Sequence, residues 1–416
     1  MTDLMLRNTR PERSPDPVDI AVTDGIVTGL AAHLPGTARE EIDCAGRVVL
    51  PGLIESHLHL DKALLDDLRP NPDGSLDGAI SVTGELKKGF TYADVRDRAS
   101  RVIEWAVTHG TTLIRAHPDV DPIVGLLGVD VLLELREKYR ALVDLQIVAF
   151  PQEGILRAPG TLDLLREAMR RGADVVGGCA YNEANADDCR RHVDQVFDLA
   201  AEFDAPVDIH ADFADDASDP RQAMAAYIAR ATVRAGWSGR VTLGHMTALG
   251  GLPKDEREPL MKELAASGVA VVPLPATDLH LGGRRDEYAV RRGVAPVREL
   301  WEHGLTTAYS SNNIRNAFTP YGTADLLEVG LLLAQTGHLS GSDDLARVVH
   351  MATHGAARVV GIADRYGLRP GAAADLVVLD TERFDDVLLE RPARAYVVKA
   401  GRVVARTRST TELLPA

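Results

Sequence analysis

Two imidazoles two residues apart, His57 and His59, are the first residues in this chain whose spacing can do chemistry. In a β-strand, side chains at i and i+2 share a face, so this pair can grip one cation. His210 and His245 each close a separate apolar run, in DIHADF and GHMTA, that otherwise gives no reason for an ionisable group. Burying several imidazoles together without a shared proton or metal is costly, because desolvation and mutual repulsion both oppose charge. A single divalent transition metal is the common cause this pattern predicts. Nitrogen ligands suit Zn2+ or Fe2+, whereas magnesium and calcium want more oxygens. Such an ion lowers the pKa of its water and supplies hydroxide near neutral pH.

The elements that must position these side chains are short β-branched runs separated by helix-compatible segments such as TYADVRDRASRVIEWAVTHG and GTLDLLREAMRRGA. The runs are VVLPGLIESHLHL, TTLIRAHPDV, VDLQIVAFPQ, ADVVGGCAYN, PVDIHADF, RVTLGHMTAL, VAVVPLPATDLHL and LTTAYSSNN. Eight strands alternating with helices predict an α/β fold, a (β/α)8 TIM-like barrel over residues 51–365. A potential ligand or polar group ends nearly every run, at the face where such barrels carry their chemistry. An open doubly wound sheet would fit the composition too, but no glycine-rich phosphate loop follows any strand. Residues 1–50 and 366–416 carry small, turn-punctuated strand patterns, and they predict one small β-sandwich domain of antiparallel strands formed from both termini.

The 416 residues, 45% hydrophobic, are enough for a barrel with an accessory domain. Three irregularly spaced cysteines, Cys44, Cys179 and Cys189, form no disulfide framework and read as ordinary thiols in a cytoplasmic protein. The start carries no cationic-then-apolar signal, and no apolar run approaches the roughly 20 residues of a membrane span. A formal charge of -15 argues against nucleic acid as a partner. The expected partner is a small-molecule substrate, with a homo-oligomer as the base-rate expectation.

The motifs PGLIESHLHLDK, RAHPDVDP, DLQIVAFPQEGIL, GADVVGG, DIHADFADD, GHMTA, LHLGGRRDEYAVRRG and NNIRNAFTPYGTADLL run over nearly the whole chain. Together they resemble the amidohydrolase superfamily and, within it, the cytosine deaminase branch. The resemblance implies that His57, His59 and His210 are metal ligands. It implies that His245 hydrogen-bonds the attacking water or the developing tetrahedral centre, and that Gln152 contacts the amide edge of the substrate. His117 and Asp119 match a polar pair near the pocket. His117, Asn313 and Phe318 are expected on the substrate side, and Asp61, inside the family's own HLHLDK motif, is a candidate catalytic carboxylate.

Two positions depart from that pattern. Where the branch has a proton-shuttling glutamate, three residues after the fifth-run histidine, this chain has Phe213; where it has a metal-binding aspartate at the eighth strand, this chain has Asn312. A phenyl ring carries no proton, and an amide oxygen can coordinate but cannot act as a base. Each lost group is worth roughly 10²–10⁴ in rate, so cytosine deamination is not expected. Phe213 offers instead a face to a planar substrate. Asp212, Asp215, Asp216 and Glu153 are possible substitute carboxylates, and Arg284 and Arg285 could meet an anionic group. The expected function is metal-dependent hydrolysis of a C–N bond in a small cyclic amide, amidine or N-heterocycle. The alternatives are a repurposed, non-hydrolytic enzyme of the same fold (elimination, cyclisation or rearrangement) and a non-catalytic ligand binder.

Overall fold

The computed structural model describes residues 2–213, 218–284 and 286–414, so Asp215, Asp216 and Arg285 lie outside the described residues. The β-branched runs form one eight-stranded sheet whose neighbours follow chain order: Leu53–Leu58, Thr111–Ala116, Asp144–Ala149, Val175–Cys179, Val207–Ala211, Val241–His245, Ala270–Val272 and Thr306–Thr307. Every pairing along it is parallel. The sheet curls until its ends meet. A parallel bridge joins Leu58 to Asn312, the amide of His59 donates to Asn312 O at 2.8 Å, and that of Asn312 donates to His57 O at 3.0 Å. This is the curled parallel sheet that a TIM-like reading requires.

Helices cover the outside for reasons visible in their residues. In Tyr92–Thr108 the buried positions include Val95, Ala99, Val102, Ile103 and Ala106, a helical stripe facing the sheet. Each large apolar side chain so buried contributes about 1.5–3 kcal/mol. Thr91 starts this helix by accepting from the Asp94 amide at 3.3 Å, a cap worth about 1 kcal/mol. Helix Thr161–Arg171 stops at Gly172, whose φ of 111 is open to glycine and strained for other residues.

A second sheet combines strands from both termini, in the order Arg402–Arg406, Arg394–Lys399, Leu376–Leu379, Val48–Pro51, Thr2–Pro11, Val18–Thr23 and Ile26–Ala31, with Ala38–Asp43 also on Thr2–Pro11. It is mixed rather than wholly antiparallel: Thr2–Pro11 pairs in parallel with both Ala38–Asp43 and Val48–Pro51. The chain reverses between Thr2–Pro11 and Val18–Thr23 and again between Val18–Thr23 and Ile26–Ala31, so Ile26–Ala31 runs in the direction of the first strand. The first run of the sequence divides between the two sheets. Val48–Pro51 pairs with Leu376–Leu379, and Leu53–Leu58 pairs with Thr111–Ala116. Gly52 makes the transition because nothing larger fits; a Cβ there would stand 2.2 Å from Thr112 Oγ1. The seventh and eighth runs are strands only at their starts. Beyond Val272 the PATDLHL stretch coils into helix Pro275–Leu281.

Candidate active site

His57 and His59 leave the first strand and His210 leaves the fifth, all three buried. The Nε2 atoms of His57 and His59 each lie 3.2 Å from Nε2 of His210. Tetrahedral ligation at Zn–N distances of about 2.0–2.1 Å puts ligand nitrogens roughly 3.3 Å apart, so the spacing fits one such ion. His59 Nδ1 is tied to His117 O at 2.8 Å, which makes Nδ1 the donor and leaves the Nε2 lone pair for a metal. Burial, reinforced by the neighbouring His117 imidazole, pushes the His57 pKa down to about 3. Burial and Lys62 lower His59, and burial and His57 lower His210, both well below the usual histidine range. Neutral imidazoles are the form a metal needs. The fourth group beside them is Asn312, held at φ 60 with its amide oxygen buried and without a hydrogen-bond partner. An orphaned buried acceptor on the wall of a three-imidazole site fits a cation as its missing partner.

Beneath the histidines runs a layer of buried charge. Asp208 Oδ2 accepts from Arg115 Nη1 at 3.0 Å, while Oδ1 lies 3.3 Å from His117 Nε2 and 3.6 Å from His57 Nδ1. Burial opposes ionisation of Asp208, but the His117 and His57 imidazoles outweigh it and hold the carboxyl far below the usual range. The His117 ring stacks on His57 at 3.7 Å. It therefore supports a ligand from below and does not line the cavity above. Glu55, on the same strand face as His57, is clasped by the hydroxyls of Ser310 and Ser311. Ser310 in turn accepts from the His57 amide at 2.9 Å. Gly244 leaves room for the His57 ring, since a Cβ there would sit 3.1 Å from Cε1.

Above the histidines is a cavity of about 10 Å³, room for about one water and far below the roughly 300–1,000 Å³ typical of drug-sized ligands. His59, His210, His245 and Asn312 form its floor, and Gln152, Phe213, Asn313 and Phe318 join Lys62, Tyr181 and Thr277 around it. Its lining contains no carboxylate among the described residues. Lys62 is buried and donates to Asp119 Oδ1 at 2.8 Å and to Gln152 Oε1 at 3.2 Å, and so fixes which face of the Gln152 amide meets the cavity. Lys87 completes this network with Asp119, Asp121 and Glu153 at 3.3, 2.8 and 2.5 Å. Glu153 is thus committed to Lys87. Phe213 stacks on His245 at 3.8 Å with an interplanar angle of 28°. Asp61 stands just outside the lining, with Oδ2 accepting from the Asp119 amide at 2.9 Å; burial and the Asp119 charge raise its pKa. Asp212 is occupied in accepting from the amides of Met224 and Ala225 at 2.8 and 3.0 Å, and burial pushes its pKa up to about 7. Arg284 faces a neighbouring cleft that shares Asn313 with the cavity. The three cysteines are buried free thiols, and no helix among the described residues is long and apolar enough to cross a membrane.

A family model described as "Amidohydrolase family" matches residues 40–405. The chain belongs to the amidohydrolase family. Among its relatives, the N-isopropylammelide isopropyl amidohydrolase of Pseudomonas sp. (strain ADP) is 29% identical over 97% of both chains. The pterin deaminase of Rhizobium rhizogenes is 31% identical over 94% of this chain and 88% of that protein. The structure of a Klebsiella pneumoniae 5-methylcytosine deaminase liganded with 5-fluorocytosine superposes with a TM-score of 0.94, at 30% identity and 99% coverage of each chain. Amidohydrolase membership agrees with the fold above and with the resemblance drawn from the motifs.

Several side chains at or under this cavity were not singled out from the sequence, among them Lys62, Tyr181, Asp208, Thr277 and Asp278. Asp208 had a readable signal, because it precedes His210 by two in a strand, as His57 precedes His59. Asp278 carried none, because the seventh run reads as a strand through the point where the chain turns helical.

Proposed function

We propose that this amidohydrolase hydrolyses a C–N bond of a small cyclic amide, amidine or N-heterocycle other than cytosine, using one Zn2+ or Fe2+ held by His57, His59 and His210 with the Asn312 amide oxygen beside them. The observation that carries the reading is the convergence of three Nε2 atoms, two at 3.2 Å from the third, of which His59 and His210 share the cavity wall with Asn312, whose amide oxygen is unpartnered. Relatives named for deaminating or dealkylaminating heterocycles agree with it. When bound, the metal supplies a water acidic enough to yield hydroxide near neutral pH.

The rest is the work of this chain's own groups. Phe213, Phe318 and Tyr181 line the cavity and offer aromatic faces to a flat ring. Gln152, held by Lys62, and Asn313 present amide hydrogen-bonding groups to its polar edge. His245 takes the proton released when the water oxygen bonds to the ring carbon. It returns that proton to the departing nitrogen as the C–N bond breaks, and the water's second proton, left on the new ring hydroxyl, moves to the adjacent ring nitrogen to give the carbonyl. The absence of a carboxylate from the cavity lining among the described residues favours a non-hydrolytic reaction as the second reading, since activated water would then be a side reaction.

Two measurements test the proposal. Metal analysis after reconstitution should show about one equivalent of zinc or iron per chain, lost on replacing His59 or His210 by alanine. Turnover of N-isopropylammelide, pterin and 5-methylcytosine should be followed by amine or ammonia release in H₂¹⁸O. Label in the product supports hydrolysis, and product without label supports the second reading. A protein that takes up neither metal refutes the hydrolytic proposal.

A further inference from the structure

The cavity needs a proton acceptor, and its lining offers few. His59 and His210 are turned toward the shared metal position, and no carboxylate lines the space among the described residues. His245 remains. Its Nδ1 lies 2.7 Å from Asp278 Oδ1, and the other oxygen of that carboxylate accepts from the Leu274 amide at 2.9 Å. Asp278 is completely buried, on helix Pro275–Leu281 behind the ring. Phe213 stacks on a face of the imidazole. The backbone confirms how firmly this ring is placed, because His245 and the following Met246 both adopt left-handed φ values, 71 and 61. Such conformations cost of order 1 kcal/mol or more apiece outside glycine and persist only where the surroundings over-determine them.

An ionised carboxylate can only accept hydrogen bonds, so the nitrogen facing Asp278 must be the protonated one and the other ring nitrogen must carry the lone pair. We infer that Asp278 is a positioning residue that holds His245 as its Nδ1–H tautomer and thereby makes Nε2 the proton acceptor of the cavity. What Nε2 then does rests on the hydrolase reading above; the tautomer does not. In the hydrolytic step a water proton moves to Nε2 while the water oxygen bonds to carbon. Asp278 stays ionised and stabilises the imidazolium; the same proton then leaves Nε2 for the departing nitrogen, while the water's other proton remains on the new hydroxyl oxygen. With no carboxylate lining the cavity among the described residues, Asp278 thus acts on it indirectly, through an imidazole.

The test uses the full-length, zinc-loaded chain labelled with ¹⁵N-histidine, the His245 signals being assigned by their loss in His245→Gln. The wild type should show a protonated Nδ1 and a bare Nε2. Asp278→Asn keeps the shape of the side chain but lets its amide donate to Nδ1, so the proton should move to Nε2. On whichever of the three heterocycles is turned over, Asp278→Asn should lower kcat by about 10²–10⁴ with KM and zinc content unchanged, and Asp278→Glu should recover part of the loss. A wild type already protonated at Nε2 overturns the inference and requires no variant to fold. So does an unchanged tautomer, or an unchanged kcat, in Asp278→Asn. The expected tautomers without turnover of any heterocycle count against the hydrolase reading alone, whereas turnover that survives Asp278→Asn counts against this inference alone.

Discussion

Replacing Asp208 by asparagine preserves the shape of a completely buried side chain and removes its charge. Arg115, 1% exposed, donates to it at 3.0 Å; the other close acceptors of that guanidinium, Gln146 Oε1 at 2.7 Å and Val359 O at 2.9 Å, are neutral. The variant therefore strands a buried cation. A lost hydrogen bond to a charged group alone costs about 1.5–3 kcal/mol, and breaking a buried pair from one side costs about 3–5 kcal/mol. The upper range applies here, because neither partner can reach water. Against a total of about 5–15 kcal/mol for a typical fold, that is a large displacement of the urea midpoint of the metal-free protein. Because the folded carboxyl is held below its unfolded value of about 3.9, its stabilisation is complete above that value and is lost only as the pH falls through the lower folded one. The deficit should accordingly be flat from about pH 6 to 8. Adding Arg115→Met should recover most of it, since the double variant buries no charge at this pair. A deficit below about 1 kcal/mol, or one that the second substitution deepens, would refute the assignment of Asp208 as the counter-charge beneath the histidines.

Zinc affinity should fall about 10–100-fold in Asp208→Asn, measured by chelator competition, because His57 loses the carboxylate behind its Nδ1. Asn312→Asp should raise zinc affinity in the same assay by supplying an anionic oxygen at the orphaned amide position, and together with Phe213→Glu it should bring measurable cytosine turnover; a double variant that binds zinc but leaves cytosine untouched would show that the cavity has diverged beyond these two positions. Metal-free protein should lose stability as the pH drops below about 6.5, since the folded pKa values of His57, His59, His117 and His210 are all lowered and the unfolded chain binds more protons. Urea titrations should show a loss of roughly 1 kcal/mol per histidine between about pH 6.5 and 5.5, and a flat profile there would contradict the burial. Gly52→Ala drives a methyl group into Thr112 and should cost about 1–3 kcal/mol, read as a drop in Tm, while an unchanged Tm would mean that the crossing is slack.

The sequence made the strand order and the histidine faces legible because both depend on a period of two. His57 and His59 share a face with Glu55, His117 shares one with Arg115, and His210 shares one with Asp208. The same alternation would have exposed the buried charge layer had it been followed backward from each histidine. Lys62 was invisible for a different reason. A lysine in a loop is usually solvated, and only the fold brings Asp119 and Gln152 to it from the second and third strand ends. Asp278 and Tyr181 depend on where strands stop, which is the least predictable boundary in any sequence. His117 shows that a polar residue at a strand end can face down as well as up: its spacing told its strand, not its depth.

The passage from Val48–Pro51 to Leu53–Leu58 through Gly52 alone has an evolutionary corollary. With no spacer between the sheets, inserting or deleting a single residue between Gly52 and His57 would shift the alternation by one and turn both imidazoles of the pair outward. Substitutions along this segment can accumulate, but length changes cannot, and neither sheet can be exchanged for a foreign module by a cut at this joint without resetting the registry of the metal-facing pair.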